Sequence, residues 1–269
     1  MLRIITVSSG KGGVGKTTVA TNLSIGLRKL GKKVVIIDCN LTTSHIGLAF
    51  GIEKYSTTLN DFLKGTKPLN NILYRHGSGL EIVPASINLE DLIDVNIGNF
   101  RNSLKETFSE YDFVILDSAP GLGNEALISL RAADEVIFVT TPHIPDIVDI
   151  LKTKDLLSKI GGDHTISGIL INRIKYKDYE IKSNQIREFT GIPIIGLVPE
   201  DGNVSESINK GRILLSYNAS SPAALSFHRL ASRLAGIPYS DLDSSDLVER
   251  NNFFSSLKNS IKNKFGKIF

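Results

Sequence analysis

Seven short runs of apolar, mostly β-branched residues recur along the chain between residues 3 and 198. Within each run the apolar positions are continuous and do not alternate with polar ones, which is typical of strands buried on both faces of a parallel sheet. We therefore predict one strand for each run. The runs are RIITVS (3–8), KVVIID (33–38), LEIVPA (80–85), FVILDS (113–118), EVIFVTT (135–141), ISGILIN (166–172) and IPIIGLV (192–198).

Segments with a helical spacing of apolar residues lie between most of these runs. One covers residues 18–30 and is followed by Gly31, a residue type that commonly ends a helix. Residues 144–160 and 221–235 have the same amphipathic character. This alternation predicts an α/β fold with a doubly wound, mostly parallel sheet and right-handed crossovers. Ligands of such folds bind beyond the carboxyl ends of the strands.

The composition narrows the class of protein. The chain has 269 residues, of which 41% are hydrophobic and 22% charged, enough apolar material for a large core. No long Pro-rich or Ser-rich linker interrupts residues 1–235, so we predict one domain there. The single cysteine, Cys39, excludes an intramolecular disulfide and fits a reducing cytoplasm. No apolar run is long enough to span a bilayer, and the first residues do not resemble a signal peptide.

A glycine-rich loop follows the first predicted strand. Its sequence GKGGVGKT (10–17) matches the phosphate-binding pattern GxxxxGK[ST] and precedes a predicted helix. The glycines allow a tight fold in which backbone N–H groups and the helix N-terminus form a cradle for anions. Lys16 is expected to reach the β and γ phosphates, and the Thr17 hydroxyl to bind Mg²⁺. The expected nucleotide-binding residues here are Gly10, Lys11, Gly12, Gly13, Val14, Gly15, Lys16, Thr17 and Thr18.

Two aspartates at strand ends are candidates to complete a magnesium site. Asp117 lies near the end of FVILDS, and Asp38 is the last residue of KVVIID. An aspartate in such a position is commonly a cap or turn residue. The phosphate loop nevertheless favours a metal role, because Mg²⁺ prefers oxygen ligands next to phosphates. We expect Asp117 to lie at the metal and Asp38 to act through a metal-bound water.

Lys11 is a second lysine in the same loop, and we do not expect its side chain to curl back onto phosphates that the loop encloses. The run KGGVGKTT (11–18) resembles the deviant phosphate-binding loop of the MinD/ParA family of ATPases, and is most similar to archaeal-type MinD-like members. The resemblance covers nearly the whole chain. It includes DCNLTTSHIGLAFG (38–51), DSAPGLGNEAL (117–127), INR (171–173) and VPED (198–201).

The resemblance implies roles for several residues. Lys11 would cross a homodimer interface to the ATP of the partner, and both Lys11 and Lys16 would stabilise charge as ATP is cleaved to ADP. Asn172 would hydrogen-bond the adenine. The residues expected to line the base with it are Arg173, Pro199, Glu200 and Asp201.

Asn40 departs from the family pattern. Many members carry a second acid at this position of the first switch, where it is thought to help place the attacking water. An amide can orient a water molecule but cannot usefully accept its proton. Asn40 and Asp38 are therefore expected to take part in a slow hydrolysis, with Thr42 and Thr43 as further candidate contacts to phosphate or Mg²⁺.

The end of the chain is polar and then basic. Residues 236–250 read as a polar tether, and residues 251–269 as an amphipathic helix that contains four lysines and no acid. The formal net charge of +3 falls to −1 once these four lysines are set aside. Such a helix suits the surface of an anionic membrane, although docking on its own domain or on a partner stays open. Its expected contact residues are Phe254, Leu257, Ile261, Lys262, Lys264, Phe265 and Ile268.

Together these features predict a MinD-like ATPase switch. It would dimerise on ATP, bind the inner face of the cell membrane reversibly from the cytoplasm, and recruit a regulatory or cargo protein. The alternative is a ParA-like partition ATPase that acts on DNA cargo, but the slightly acidic body makes nucleic acid an unexpected partner. An iron–sulfur carrier would need a cysteine pair, and a synthetase or kinase would need a substrate-binding insertion. We find neither in the sequence.

Overall fold

The computed structural model describes residues 1–238 except 53, 87, 89, 91–97, 162 and 163. Within it, Met1–Gly236 form one compact unit. The amphipathic helix over 251–269, its contact residues and most of the polar tether lie outside the described residues, so the three-part division of the chain stays a prediction. In the described part, no helix combines the length and apolar character needed to cross a membrane.

The strands of the described residues form one sheet in the order β3-β4-β2-β5-β1-β6-β7-β8. Every neighbouring pair is parallel except β3 and β4, which are antiparallel. This arrangement confirms the predicted α/β fold with a mostly parallel, doubly wound sheet. The strands are β1 (Arg3–Ser8), β2 (Val34–Cys39), β3 (Tyr74–Arg75), β4 (Glu81–Val83), β5 (Phe113–Ser118), β6 (Glu135–Thr140), β7 (Thr165–Ile174) and β8 (Ile194–Pro199).

Helices cover both faces of the sheet, and a 3₁₀ turn at Leu69–Ile72 lies before β3. The α-helices are α1 (Lys16–Lys29), α2 (Ile46–Ala49), α3 (Leu59–Leu63), α4 (Phe100–Thr107), α5 (Asn124–Ala132), α6 (Ile144–Ile160), α7 (Ser183–Thr190), α8 (Gly202–Asn209), α9 (Leu214–Tyr217) and α10 (Pro222–Leu234).

The continuous apolar runs of the sequence are explained by the hydrophobic clusters that cover both faces of the sheet. In β5, Phe113 and Ile115 belong to the cluster that contains buried residues of α1 and α10. The alternate residues, Val114 and Leu116, belong to a second cluster with α4 and α5. Because successive side chains of a strand point to opposite faces, both sets must be apolar.

Most predicted boundaries differ from the observed ones by one or two residues, and two of these corrections are described here. Helix α1 was expected over residues 18–30, but it begins at Lys16 because Gly15, with φ 97°, directly precedes it in a left-handed conformation. The strand expected over residues 80–85 is restricted to Glu81–Val83. The first correction matters for the site, because it places Lys16 and Thr17 in the first turn of the helix.

Candidate functional site

The phosphate-loop sequence connects the carboxyl end of β1 to the N-terminus of α1, in the middle of the sheet. Gly13 and Gly15 have φ values of 81° and 97°, which side-chain-bearing residues rarely adopt. The Ser9 hydroxyl donates a hydrogen bond of 2.7 Å to the Lys11 carbonyl and helps to fix the turn. The loop thus opens towards the N-terminal end of α1, where unpaired backbone N–H groups favour an anion.

Asp38 and Asp117 lie side by side at the carboxyl ends of β2 and β5, where they are register partners. Both are buried. Asp38 accepts a hydrogen bond of 2.8 Å from the Ser44 hydroxyl and bonds of 3.0 and 3.3 Å from the backbone N–H groups of Asn40 and Ile46. The structure therefore brings together the two acids that the sequence singled out.

The surroundings of Asp117 suit a cation. The Thr17 side chain lies close enough to Asp117 to oppose the rise in the pKa of its carboxyl. Asp117 Oδ1 is buried without a hydrogen-bond partner among the described residues. In the same residues, no cluster of three or more His, Cys, Asp or Glu side chains forms a metal site by itself. One carboxylate and one hydroxyl fit Mg²⁺, which commonly takes few protein ligands and completes its shell with phosphates and water.

Burial disfavours the charged forms of Asp38, Asp117 and Lys16. It raises the pKa of Asp38 to about 6. Burial, together with the neighbouring charge of Asp38, raises the pKa of Asp117 to about 7. Burial also lowers the pKa of Lys16, although the charge of Asp117 opposes that shift. A divalent cation next to Asp117 would favour the charged carboxylates and reduce this electrostatic penalty.

Helix α6 packs closely against the start of the phosphate loop. A Cβ atom on Gly10 would lie 2.4 Å from the Cβ of Asp149, so only glycine fits there. Beside this contact, Lys11 Nζ lies 3.1 Å from Asp146 Oδ1, and the Lys11 side chain is 56% exposed. The other oxygen of Asp146 accepts a hydrogen bond from the Thr141 hydroxyl. In this structure Lys11 is therefore paired with α6, whereas Lys16 is buried next to Asp117.

Asn40 folds the loop that follows β2. Its Nδ2 donates hydrogen bonds of 2.7 and 2.9 Å to the carbonyl and the hydroxyl oxygen of Thr43. The Thr42 hydroxyl donates to the carboxylate of Glu125 in the first turn of α5. The loops after β2 and β5 are thus connected. The sequence analysis missed Glu125, although its position in the first turn of the helix after Asp117 was a usable signal.

Asn172 lies on β7 and is brought to the phosphate loop. Its Nδ2 donates a hydrogen bond of 2.8 Å to the carbonyl of Val14, and its side chain is buried. The next residue, Arg173, has φ 56°, which is unusual for a residue other than glycine. The sequence analysis predicted an adenine contact for Asn172, which stays a prediction, and missed the contact with the loop.

The segment from Pro199 to Asp201 joins β8 to α8. The Asp201 side chain caps α8 by accepting a hydrogen bond of 2.9 Å from the Asn203 N–H. Its second oxygen accepts one of 3.2 Å from the Ala223 N–H. The Asp201 carboxylate is thus engaged in capping, and the contact of this segment with a base stays a prediction. Glu200 is exposed.

Comparisons with known proteins agree with this geometry. The model of the AAA domain family matches residues 2–159. The chain is 31% identical to an ATP-binding protein of Methanocaldococcus jannaschii, over 95% of this chain and 96% of the relative. Its fold is similar to the septum site-determining protein MinD complexed with Mg-ADP from Pyrococcus horikoshii, with a TM-score of 0.82, 31% identity and coverage of 87% of this chain and 96% of that chain. It is also similar to a chain of the MinC:MinD cell division protein complex of Aquifex aeolicus, with a TM-score of 0.77, 27% identity and coverage of 88% and 98%.

Proposed function

The chain belongs to the MinD/ParA family of P-loop ATPases, and on that premise we propose that it is a switch that dimerises around ATP. In the ATP state the dimer binds an anionic membrane through residues 251–269 and recruits another protein. Hydrolysis to ADP resets the switch. The observation that carries this proposal is the position of Lys11, whose side chain is exposed on the phosphate loop and, among the described residues, forms an ion pair with Asp146.

The residues at the carboxyl edge of the sheet have complementary roles in this proposal. The backbone of the loop from Gly10 to Thr17 binds the phosphates, and Lys16 neutralises the β and γ groups. Thr17 and Asp117 hold Mg²⁺, which supplies further positive charge to the phosphate oxygens. Asp38 orients water next to the metal. The Asp117 oxygen that lacks a partner among the described residues supports this assignment.

Lys11 connects nucleotide binding to dimerisation. To reach phosphates bound by a second copy, its side chain must leave Asp146. It would then add positive charge where negative charge develops during cleavage. A dimer without ATP would bring such lysines together with no anion between them. ATP is therefore expected to control the association of the two copies.

Hydrolysis is proposed to be slow. Asn40 can hydrogen-bond an attacking water but cannot usefully accept its proton. Its amide also donates hydrogen bonds to Thr43, which restrain the loop after β2. A long-lived ATP state would follow, and with it a long residence at the membrane.

The membrane step depends on the amphipathic character of residues 251–269. One such segment is expected to bind weakly, whereas two segments on one dimer bind with a large gain in effective concentration. The protein would therefore move reversibly between the cytoplasm and the inner face of the cell membrane. The MinC:MinD complex of Aquifex aeolicus supports a protein partner for the ATP dimer, here of unspecified identity.

Sedimentation with vesicles tests the membrane half of this proposal. Wild-type protein should pellet with phosphatidylglycerol vesicles in ATP and Mg²⁺, much less in ADP, and little with neutral vesicles. Lys11→Ala and a chain shortened after residue 250 should both stay in the supernatant. Equal pelleting of the shortened chain would contradict the proposal. ATP-dependent binding to DNA in place of vesicles would favour the partition ATPase instead.

A further inference from the structure

Asn172 and the phosphate loop are joined by a buried contact that is independent of any base. The hydrogen bond from Asn172 Nδ2 to the Val14 carbonyl, 2.8 Å long, connects residues that are 158 positions apart in the chain. Val14 is 3% and Asn172 5% exposed, so water does not readily replace either partner. Loss of a donor to a buried carbonyl is costly. This bond therefore holds the loop in its observed conformation.

Gly15 is fitted to Asn172. A Cβ atom at Gly15 would lie 2.3 Å from Asn172 Nδ2, well inside any normal contact. Gly15 also has φ 97°, a conformation that other residues rarely adopt. The loop has room for the Asn172 amide because Gly15 has no side chain. The two residues therefore pack directly against each other.

The backbone of β7 is irregular where it presents Asn172. The register between β7 and β8 shifts between Ile171 and Ile174. Within this interval Arg173 has φ 56°. Irregularities of this kind re-aim side chains and persist only where the surrounding structure enforces them, often at functional sites. The strand departs from regular geometry at the position from which Asn172 reaches the loop.

From these observations we propose that Asn172 is a positioning residue for phosphate binding, in addition to any contact with the base. In a trans peptide the C=O and the following N–H point in opposite directions. A side chain that grips the Val14 carbonyl therefore fixes the Gly15 N–H on the opposite side, where a phosphate in the loop would meet it. The inference rests on the proposed nucleotide site and deepens it, since Asn172 would set the affinity for the phosphates themselves.

A ligand without a base separates this role from adenine recognition. Affinities for Mg-ATP and for magnesium tripolyphosphate can be measured by calorimetry for the wild type, Asn172→Ala and Asn172→Asp. The aspartate has nearly the same shape, but its ionised carboxylate cannot donate to a carbonyl. We expect both variants to weaken the binding of magnesium tripolyphosphate by a factor of about three to ten, and that of Mg-ATP by at least as much. Asn184→Ala removes an exposed asparagine of α7 and serves as the control, with no change expected.

Each other outcome has a defined meaning. Unchanged tripolyphosphate affinity with weakened ATP affinity would overturn the positioning role and leave a base contact. So would a wild-type chain that binds ATP but not tripolyphosphate, because the proposal places much of the affinity in the loop. A wild type that binds neither ligand would contradict the nucleotide site itself. Melting without ligand identifies any variant that is merely unfolded at the temperature of the titration.

Discussion

Asp38 and Asp117 show how single residues link stability to metal binding. Both carboxyls are buried and have raised pKa values, about 6 and about 7. Between the unfolded value near 4 and these folded values, the folded chain binds more protons than the unfolded chain. The free energy of unfolding contributed by the pair therefore falls as pH rises through this window, because the charged carboxylates are disfavoured by burial.

Asp117→Asn should remove most of this pH dependence. In metal-free buffer we expect the variant to gain stability over the wild type at pH 8, on the order of 1–3 kcal/mol. The gain should shrink towards pH 4 and disappear below it, where the wild-type carboxyl is protonated in both states. Denaturant unfolding with a chelator, at several pH values, measures this difference. A stability difference between Asp117→Asn and the wild type that does not change with pH would show that the buried carboxyl is not its cause.

Asp146 is the residue that retains Lys11 in the single chain, with Nζ and Oδ1 3.1 Å apart. In the proposed dimer Lys11 must leave Asp146 to reach the phosphates of the partner. Removal of the negative charge of Asp146 should therefore favour the dimer. Asp146→Asn is therefore expected to lower the ATP concentration for half-maximal dimerisation about two- to fivefold, the effect of a partly exposed ion pair. Light scattering across an ATP titration measures this shift.

The control for this titration lies on the same helix. Asp155 forms an exposed ion pair with Lys159 one turn apart, away from the loop. Asp155→Asn should leave the ATP requirement unchanged. If Asp155→Asn and Asp146→Asn lower the ATP requirement equally, the cause is the change in net charge and not the loss of the contact with Lys11.

At the scale of elements, the sequence predicted most of the sheet and the phosphate loop. The strands over 3–8 and 113–118 and helix α6 have the predicted bounds, because continuous apolar runs mark the two strands and Gly161 follows the end of the helix. Strand β3 has two residues, too few for a periodic pattern. The contact of Asn172 with Val14 was not predictable, because it depends on the sheet order that places β7 two strands from β1.

The loop after β2 is the element in which hydrolysis is expected to be controlled. Asn40→Asp keeps the size of the side chain but introduces a carboxylate, which can orient the attacking water and accept its proton. We expect hydrolysis to rise about three- to tenfold. Asn40→Ala is the matched comparison, because it removes the bonds to Thr43 without adding an acid, and it should be slower than wild type. Single-turnover phosphate release measures both, and an unchanged or slower rate for Asn40→Asp would refute this role.

At the scale of the whole molecule, the features of the site converge on one edge of one compact unit. The phosphate loop, the two aspartates and Asn172 all lie at the carboxyl ends of strands of the same sheet. Lys11 sits at the same edge and is exposed. An edge that is proposed to bind a triphosphate and that also presents an exposed lysine, held by Asp146, favours a second copy across the nucleotide. The membrane affinity of residues 251–269 would then depend on ATP, because the dimer carries two copies of this segment.

The mass of the 269-residue chain in solution tests the central claim most directly. Light scattering should give the 29.4 kDa of one chain in ADP and Mg²⁺. In ATP and Mg²⁺ it should give twice that mass for the wild type and a single chain for Lys11→Ala. A wild-type protein that binds ATP but keeps the mass of one chain would contradict the account.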